Sequence, residues 1–162
     1  MARRSIPSYF YVLVVVPRAG RYLMVQERKH GQTWYLPSGG MEPGESIHDA
    51  AIRETKEEAG IRIAPRGLIG VDHQWLMHGE QLCCKWRFMV LAQPCDEWPV
   101  KTRPDRHTLG ARWAEPREIR RLPLRSPEVL GLIEHVEKGG LVVPLSFYED
   151  ATQPALAALL YD

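Results

Sequence analysis

Phe10 to Val16 is an unbroken apolar run rich in aromatic and β-branched residues, the pattern of a strand covered on both faces. "RYLMVQE", Arg21 to Glu27, follows across the turn signal "PRAG", and the two runs are predicted to form a hairpin. From Ile47 to Ala59 the period changes: Ala51, Ile52, Thr55 and Ala59 share one helical arc. Ser46 supplies an N-cap hydroxyl, Asp49 an acid in the first turn and Gly60 a left-handed stop, so a helix is predicted over 47–59. Gly67 to Met77 and Gln81 to Ala92 read as two strands around "HGE", the second alternating Leu82, Cys84, Trp86, Phe88 and Val90. A short strand is expected at Ala111 to Ala114. A second helix lies in "SPEVLGLIEHVEKGG", with Ser126 as N-cap, Pro127 in the first position, Val129, Leu130, Ile133 and Val136 on one face, and Gly139 beyond its end.

The connections are equally patterned. "GQTWYLPSGG" is too rich in Gly and Pro for more than a short extended piece at Trp34 to Leu36, and Gln93 to Thr108 is a polar loop long enough to suggest function. Near the end, "LVVPLSFY" suits an edge strand, since Pro144 excludes a central one, and "PALAALLYD" a short helix. The division expected is a main domain over 1–140 and a C-terminal extension over 141–162, packed on that domain or at a subunit interface of a homodimer.

Composition narrows the partners. With 162 residues the chain holds one domain with its own core, and a net charge of +1 gives no bias toward a nucleic acid polymer. Cys83, Cys84 and Cys95 are odd in number and form no C-x-x-C pair, so a disulfide scaffold is not expected and a reducing cytoplasm fits best. The N-terminal apolar run lacks a cleavage site and is read as a strand rather than a signal peptide. No stretch is long and apolar enough for a membrane helix.

The chemistry concentrates in "GGMEPGESIHDAAIRETKEEAGI", Gly39 to Ile61. At about 100° per residue, Glu54, Glu57 and Glu58 fall on one arc of the helix, opposite its apolar arc. Like charges at this spacing repel by a few tenths of a kcal/mol per pair, so a purely structural helix would dilute them. A hard divalent cation, Mg²⁺ or alternatively Mn²⁺, removes that repulsion. The glycines allow close backbone approach, so the Gly39 carbonyl is a further candidate ligand. Arg53 stands beside the carboxylates and can reach Glu45 or Glu57.

Gly39, Glu45, Arg53-Glu54-Thr55, Glu57-Glu58 and Gly60-Ile61, at these separations, resemble the signature of the Nudix hydrolase family. The resemblance implies an α/β fold, an α/β/α sandwich around a mixed β-sheet, with the box forming loop, helix and loop. It implies hydrolysis of a nucleoside diphosphate linked to another group, with Glu54, Glu57 and Glu58 as metal ligands, Gly39 offering its carbonyl, and Arg53 and Glu45 supporting the helix. The substrate expected is a small-molecule nucleoside di- or triphosphate, including an oxidised guanine nucleotide. An ADP-sugar or other nucleoside-diphosphate derivative is the alternative, and a nucleotide sensor without catalysis a further one. Two departures stand out: Thr55 occupies an apolar slot and Ser38 replaces a glycine of the commoner Pro-Gly-Gly entry. The proline that ADP-ribose enzymes carry downstream of the box is absent, Trp75 and Leu76 standing there. Family members often add an acidic base from a loop before the last strand; here Asp105 is the nearest carboxylate and His107 the alternative. Arg28 and Lys29, at the end of the second predicted strand, are candidates for the distal phosphates. Trp75, Trp86 and Trp113, in predicted strands, are read as core, whereas Trp34 and Trp98 lie in loops. His73 and His78 lack zinc-ligand spacing.

Overall fold

The computed structural model describes residues 5–95 and 99–148. Trp98 and the segment "PALAALLYD" lie outside them.

Strand β1 (Ser8–Val15) ends in the apolar run: Val12 to Val16 are all at most 2% exposed, as a strand covered on both faces requires. It does not pair with β3 (Arg21–Glu27), so the predicted long hairpin is not formed. β1 pairs in parallel with β7 (Gln81–Pro94) and antiparallel with β5 (Ser38–Gly40). The chain instead leaves this sheet after Val16, and two residues, β2 (Pro17–Arg18), make a tight hairpin with β3. Its turn residues Ala19 and Gly20 have φ of 47° and 74°, the left-handed pair that matches strand twist in a two-residue loop. The reason is burial: both runs need cover on two faces, and two adjacent sheets provide it where one isolated hairpin cannot.

β6 (Ile63–His78) begins before the predicted Gly67, and a bulge between Pro65 and Gly67 absorbs the proline that interrupted the sequence pattern. Its edge is taken by β9 (Val143–Pro144), opposite Leu68 and Gly67, so Pro144 does occupy an edge strand. The first sheet is ordered β5-β1-β7-β6-β9; in the second, β3 joins β2, β4 (Trp34–Tyr35) and β8 (Thr108–Ala114).

Helix α1 (Ile47–Ala59) has its predicted ends: the Ser46 hydroxyl accepts from the Asp49 N–H at 3.1 Å, and Gly60 is left-handed at φ 77°. Ile47, Ala50, Ala51 and Ala59 pack on Val12, Val14, Leu23 and Val25. On the other side, Ile119 of α2 (Pro116–Ile119) and Val129 and Ile133 of α3 (Glu128–Glu137) cover Leu13, Val15, Met24 and Leu36. The result is α/β/α layering around one mixed and one antiparallel sheet. Ser126 is not the cap of α3: the helix starts at Glu128 after Pro127, and the Ser126 hydroxyl is 3.5 Å from the Glu128 N–H. Trp113 packs on the core as read, but Trp75 is 58% exposed and is not a core residue. No helix among the described residues is long and apolar enough to cross a membrane.

Candidate active site

Gly39 sits opposite Val12 in the β1–β5 pair, with the Glu54 carboxyl group pressed against its Cα. A Cβ there would stand 2.0 Å from the Glu54 carboxyl carbon, so only glycine permits this approach. Gly39→Ala is therefore expected to push Glu54 aside and lower turnover by on the order of a hundredfold, because misplacement of about 1 Å has that cost. Steady-state kinetics alongside circular dichroism check this; an active, normally folded variant would show the contact to be dispensable.

Arg53 organises the helix. Its Nε and Nη2 donate to the two oxygens of Glu45 at 2.7 and 2.8 Å, Nη1 donates to Glu54 at 2.7 Å, and Nη2 also reaches the Gly40 carbonyl at 2.8 Å. Glu57 lies 3.6 Å from Nη1. The bidentate bonds to Glu45 hold the Arg53 proton more firmly than usual and keep the Glu45 carboxyl below its ordinary range. Both of the partners offered to Arg53 by the sequence are thus found, and Glu54 and Gly40 besides. Thr55 fills the apolar slot by donating its hydroxyl to the Ala51 carbonyl at 2.8 Å, so its polar atom is satisfied while the residue is fully buried.

The carboxylates share an arc but not a surroundings. Glu58 accepts from the Ser38 N–H at 2.8 Å, and desolvation, opposed by that bond and reinforced by the charges of Glu54 and Glu27, pushes its ionisation up to about 8. Burial also raises Glu54. Glu57 lies 3.7 Å from His107 Nδ1. Among the described residues no three acidic, histidine or cysteine side chains are gathered as a ready ligand set. The donors nonetheless suit a hard divalent cation: three carboxylates, two of them destabilised as anions by burial, gain from a positive charge.

A pH dependence follows. Glu58 has a folded-state pKa above its unfolded one, so the stability it contributes is complete below about 4.5 and is lost as pH rises toward about 8. In EDTA the melting temperature is expected to fall across that window, and Mg²⁺ or Mn²⁺ to restore it more at pH 8 than at pH 5. Thermal scans in both buffers measure this; a cation effect independent of pH would contradict it.

The long loop before β8 closes the end of α1. The Lys101 N–H donates to the Ala59 carbonyl at 2.8 Å, the Lys101 ammonium to the Glu57 carbonyl, and the Thr108 hydroxyl to the Glu58 carbonyl at 2.7 Å. A cation at a helix C-terminus also offsets its dipole. Asp105 pairs with Lys101 at 2.7 Å and accepts from the His107 and Thr108 N–H groups, which together hold its carboxyl well below the usual range. It lines a shallow second cavity with Glu45, Arg53 and Glu57, whereas His107 lines both cavities.

The first cavity, about 570 Å³, has Gly39 and Glu58 in its lining. Arg28, Lys29, Lys85, Arg87, Arg106 and Arg125 line it against three acids, Glu27, Glu58 and Glu128. Its wall is therefore cationic although the whole chain is almost neutral. Arg28 and Lys29 are brought to the cavity as read, with Arg28 Nε donating to the Asp105 carbonyl at 2.9 Å. Sequence reasoning missed the rest. Glu27 is 8% exposed and accepts from Arg125 at 2.7 Å. Glu128 accepts from the Tyr35 hydroxyl and from Arg87 at 2.8 Å, and Arg87 also grips Asp72. Burial and the bond to Glu128 raise the Tyr35 phenol. The signal available was the polar phase of β7: Lys85 and Arg87 alternate with the apolar Trp86 and Phe88.

Comparison with known proteins agrees with this fold. The NUDIX domain model matches residues 7–133. The 8-oxo-dGDP phosphatase NUDT18 of Mus musculus is 40% identical over 138 residues, covering 81% of this chain and 39% of the relative, and its Homo sapiens counterpart is 35% identical over 137 residues. The chain thus spans about two fifths of the length of these relatives. Phosphatase NudJ of Shigella boydii serotype 4 is 33% identical, with 79% of this chain and 82% of the relative covered. Among solved structures, a NUDIX hydrolase from Nitrosomonas europaea superposes with a TM-score of 0.74 at 29% identity, over 88% of this chain and 97% of that one.

Proposed function

The chain belongs to the Nudix hydrolase family, and from that premise we propose that it hydrolyses the phosphoanhydride of a nucleoside diphosphate, an oxidised guanine nucleotide such as 8-oxo-dGDP being the first choice. The observation that carries the reading is the cavity: Gly39 and Glu58 line a pocket whose wall is cationic. The family hydrolyses pyrophosphates; the guanine part of the reading rests on the similarity to the 8-oxo-dGDP phosphatases.

Glu54, Glu57 and Glu58 would hold a divalent cation, with the Gly39 carbonyl as a further donor. When bound, such a cation neutralises diphosphate charge and makes the attacking water more acidic. Arg53 acts through others: its donors are given to Glu45, Glu54 and Gly40, so it positions the carboxylates rather than touching substrate. The cation that Glu58 would hold keeps its carboxyl ionised at neutral pH against the desolvation that raises it, the form needed to take a proton from the attacking water. Asp105, ion-paired and so only weakly basic, suits that role poorly, and His107 beside Glu57 remains its local competitor. Arg28 and Lys29 would meet the outer phosphate. Tyr35, Glu128 and Arg87 present a hydroxyl, a carboxylate and a guanidinium in the same cavity, a set able to read the polar edge of a base.

Formation of the nucleoside monophosphate from a panel including 8-oxo-dGDP, dGDP, the corresponding triphosphates and ADP-ribose, with Mg²⁺ and with EDTA, tests the reading. Preference for a guanine diphosphate supports it; preference for ADP-ribose would move the substrate to ADP-sugars, and inertness throughout would favour a sensor. Arg28→Ala and Lys29→Ala are expected to raise KM severalfold with kcat little changed, because their contacts are equal in ground and transition states. A loss confined to kcat would place them in the chemical step.

A further inference from the structure

The outer edge of β6 is open over residues 71–78. β9 pairs with Gly67 and Leu68, and past them no described strand lies on that side. The neighbouring strand records which way the backbone groups turn. Trp75 stands opposite Cys84 in β7, and Cys84 donates its N–H at 2.9 Å to the Pro7 carbonyl, away from β6. Trp75 and Cys84 are therefore a non-hydrogen-bonded pair of the antiparallel ladder, in which both residues direct N–H and C=O away from each other. The register is unbroken from Val71 to His78, so Val71, His73, Trp75 and Met77 all present their backbone donors and acceptors at the free edge.

Such an edge is a template for another strand, and proteins that keep it free protect it with lysine, proline or an unpaired charge. None of these is present. The stretch "VDHQWLMH" contains no Lys, Arg or Pro, and its one carboxylate, Asp72, accepts from Nε and Nη2 of Arg87 across the ladder. The side chains on the reverse of the sheet are apolar and open: Val71 is 50% exposed, Trp75 58% and Met77 60%. His73 lies between Trp75 and Trp86, with ring centroids at 6.0 and 5.0 Å, which orders this surface. On the other face Gln74 lines the cavity.

Turned end for end, the strand matches itself. With a two-fold axis through Gln74, perpendicular to the sheet, Val71 of one copy faces Met77 of the other and His73 faces Trp75. All four outward residues then pair, whereas an axis through Trp75 would set Val71 against the turn at Gly79. Apolar and aromatic side chains meet on the reverse face, and Gln74 meets its own copy, an amide that both donates and accepts. Asp72, already held by Arg87, faces Leu76, so no like charges are opposed.

We propose that two copies of this chain associate through β6, antiparallel about Gln74, so that one sheet runs through both subunits. A second copy is favoured over an unrelated strand because the edge supplies its own complement at every position and the contact closes on itself. The axis leaves both cavity faces on the same side of the sheet, so that Gln74 of the partner subunit extends the cavity wall beyond β6.

The test uses the full chain with Cys95→Ser, since Cys95 is exposed whereas Cys83 and Cys84 are buried. In that background Gln74→Cys should form a disulfide between subunits on mild oxidation, because a non-hydrogen-bonded pair brings the two Cα atoms to about 4.5 Å. Leu76→Cys should not, its two copies standing about 13 Å apart along the strands. Analytical ultracentrifugation of the reduced parent across the micromolar range should give twice the mass of one chain. Trp75→Lys with Met77→Lys, which places the missing lysines on the edge, should return the mass of one, with circular dichroism checking the fold. A parent of single-chain mass at every concentration would overturn the proposal, as would failure of the residue-74 disulfide, equal cross-linking at residue 76, or a folded double-lysine variant that is still a dimer.

Discussion

Glu58→Gln is expected to lower turnover by on the order of a thousandfold while leaving the fold intact. The amide matches the carboxyl in shape and its carbonyl can still accept from the Ser38 N–H, so the loop entering the box keeps its contact. What disappears is an anion lining the same cavity as Gly39, and with it both a cation ligand and a candidate proton acceptor. The substitution also removes the cost of ionising a desolvated carboxyl. The fall in metal-free stability with rising pH should therefore flatten in the variant even as activity is lost. Opposite movements of activity and alkaline stability separate a functional group from a packing one. Rates at saturating substrate and cation, with melts in EDTA from pH 5 to 9, give both; turnover within tenfold of the parent would remove Glu58 from the machinery.

Arg53→Ala is expected to be the most damaging change to folding in the box, at about 3 kcal/mol, because breaking a largely buried ion pair strands its partners. Glu45 and Glu54 have side chains 12% and 11% exposed, and both lose their guanidinium donors at once. For a chain of this length that corresponds to a drop of about 10 °C in Tm. Activity should fall with it, since Glu54 is no longer held beside Gly39. Arg53→Lys should recover little: an ammonium cannot make the fork to Glu45 while also reaching Glu54 and Gly40. The acid side adds a check. Glu45 is held below its ordinary pKa, so its contribution is present above about 4.5 and lost as pH falls through the lower folded value. That acid-side loss should vanish in Arg53→Ala. A lysine variant that melts like the parent would show that charge alone suffices.

The parts of the site that were readable along the chain are those whose partners are a turn of helix away. Helix α1 has its predicted ends because Ser46 and Gly60 satisfy backbone groups within four residues of themselves. The fork of Arg53 to Glu45 was within reach of spacing arguments because only the cap Ser46 and the first turns of α1 lie between them. Thr108 and Lys101 were passed over for the opposite reason: they act on carbonyls of α1 from across a long polar loop, and nothing in their neighbours records that. Trp75 was read as core because alternation shows which residues share a face, and not whether that face is covered.

By itself the sequence determined the box, the helix that carries three glutamates on one arc and the longer strands, since each depends on periodicity, whereas β5, in a stretch read as loop, was not among them. Only the tertiary structure decided that β1 and β3 enter different sheets, that Glu58 and Glu57 open to different cavities, and that cations from β7 and from the loops after β3, before β8 and before α3 line the cavity of Glu58. Strand pairing and a cavity's charge depend on groups far apart in the chain, joined by the burial of many residues at once, and no local pattern encodes which of them will meet.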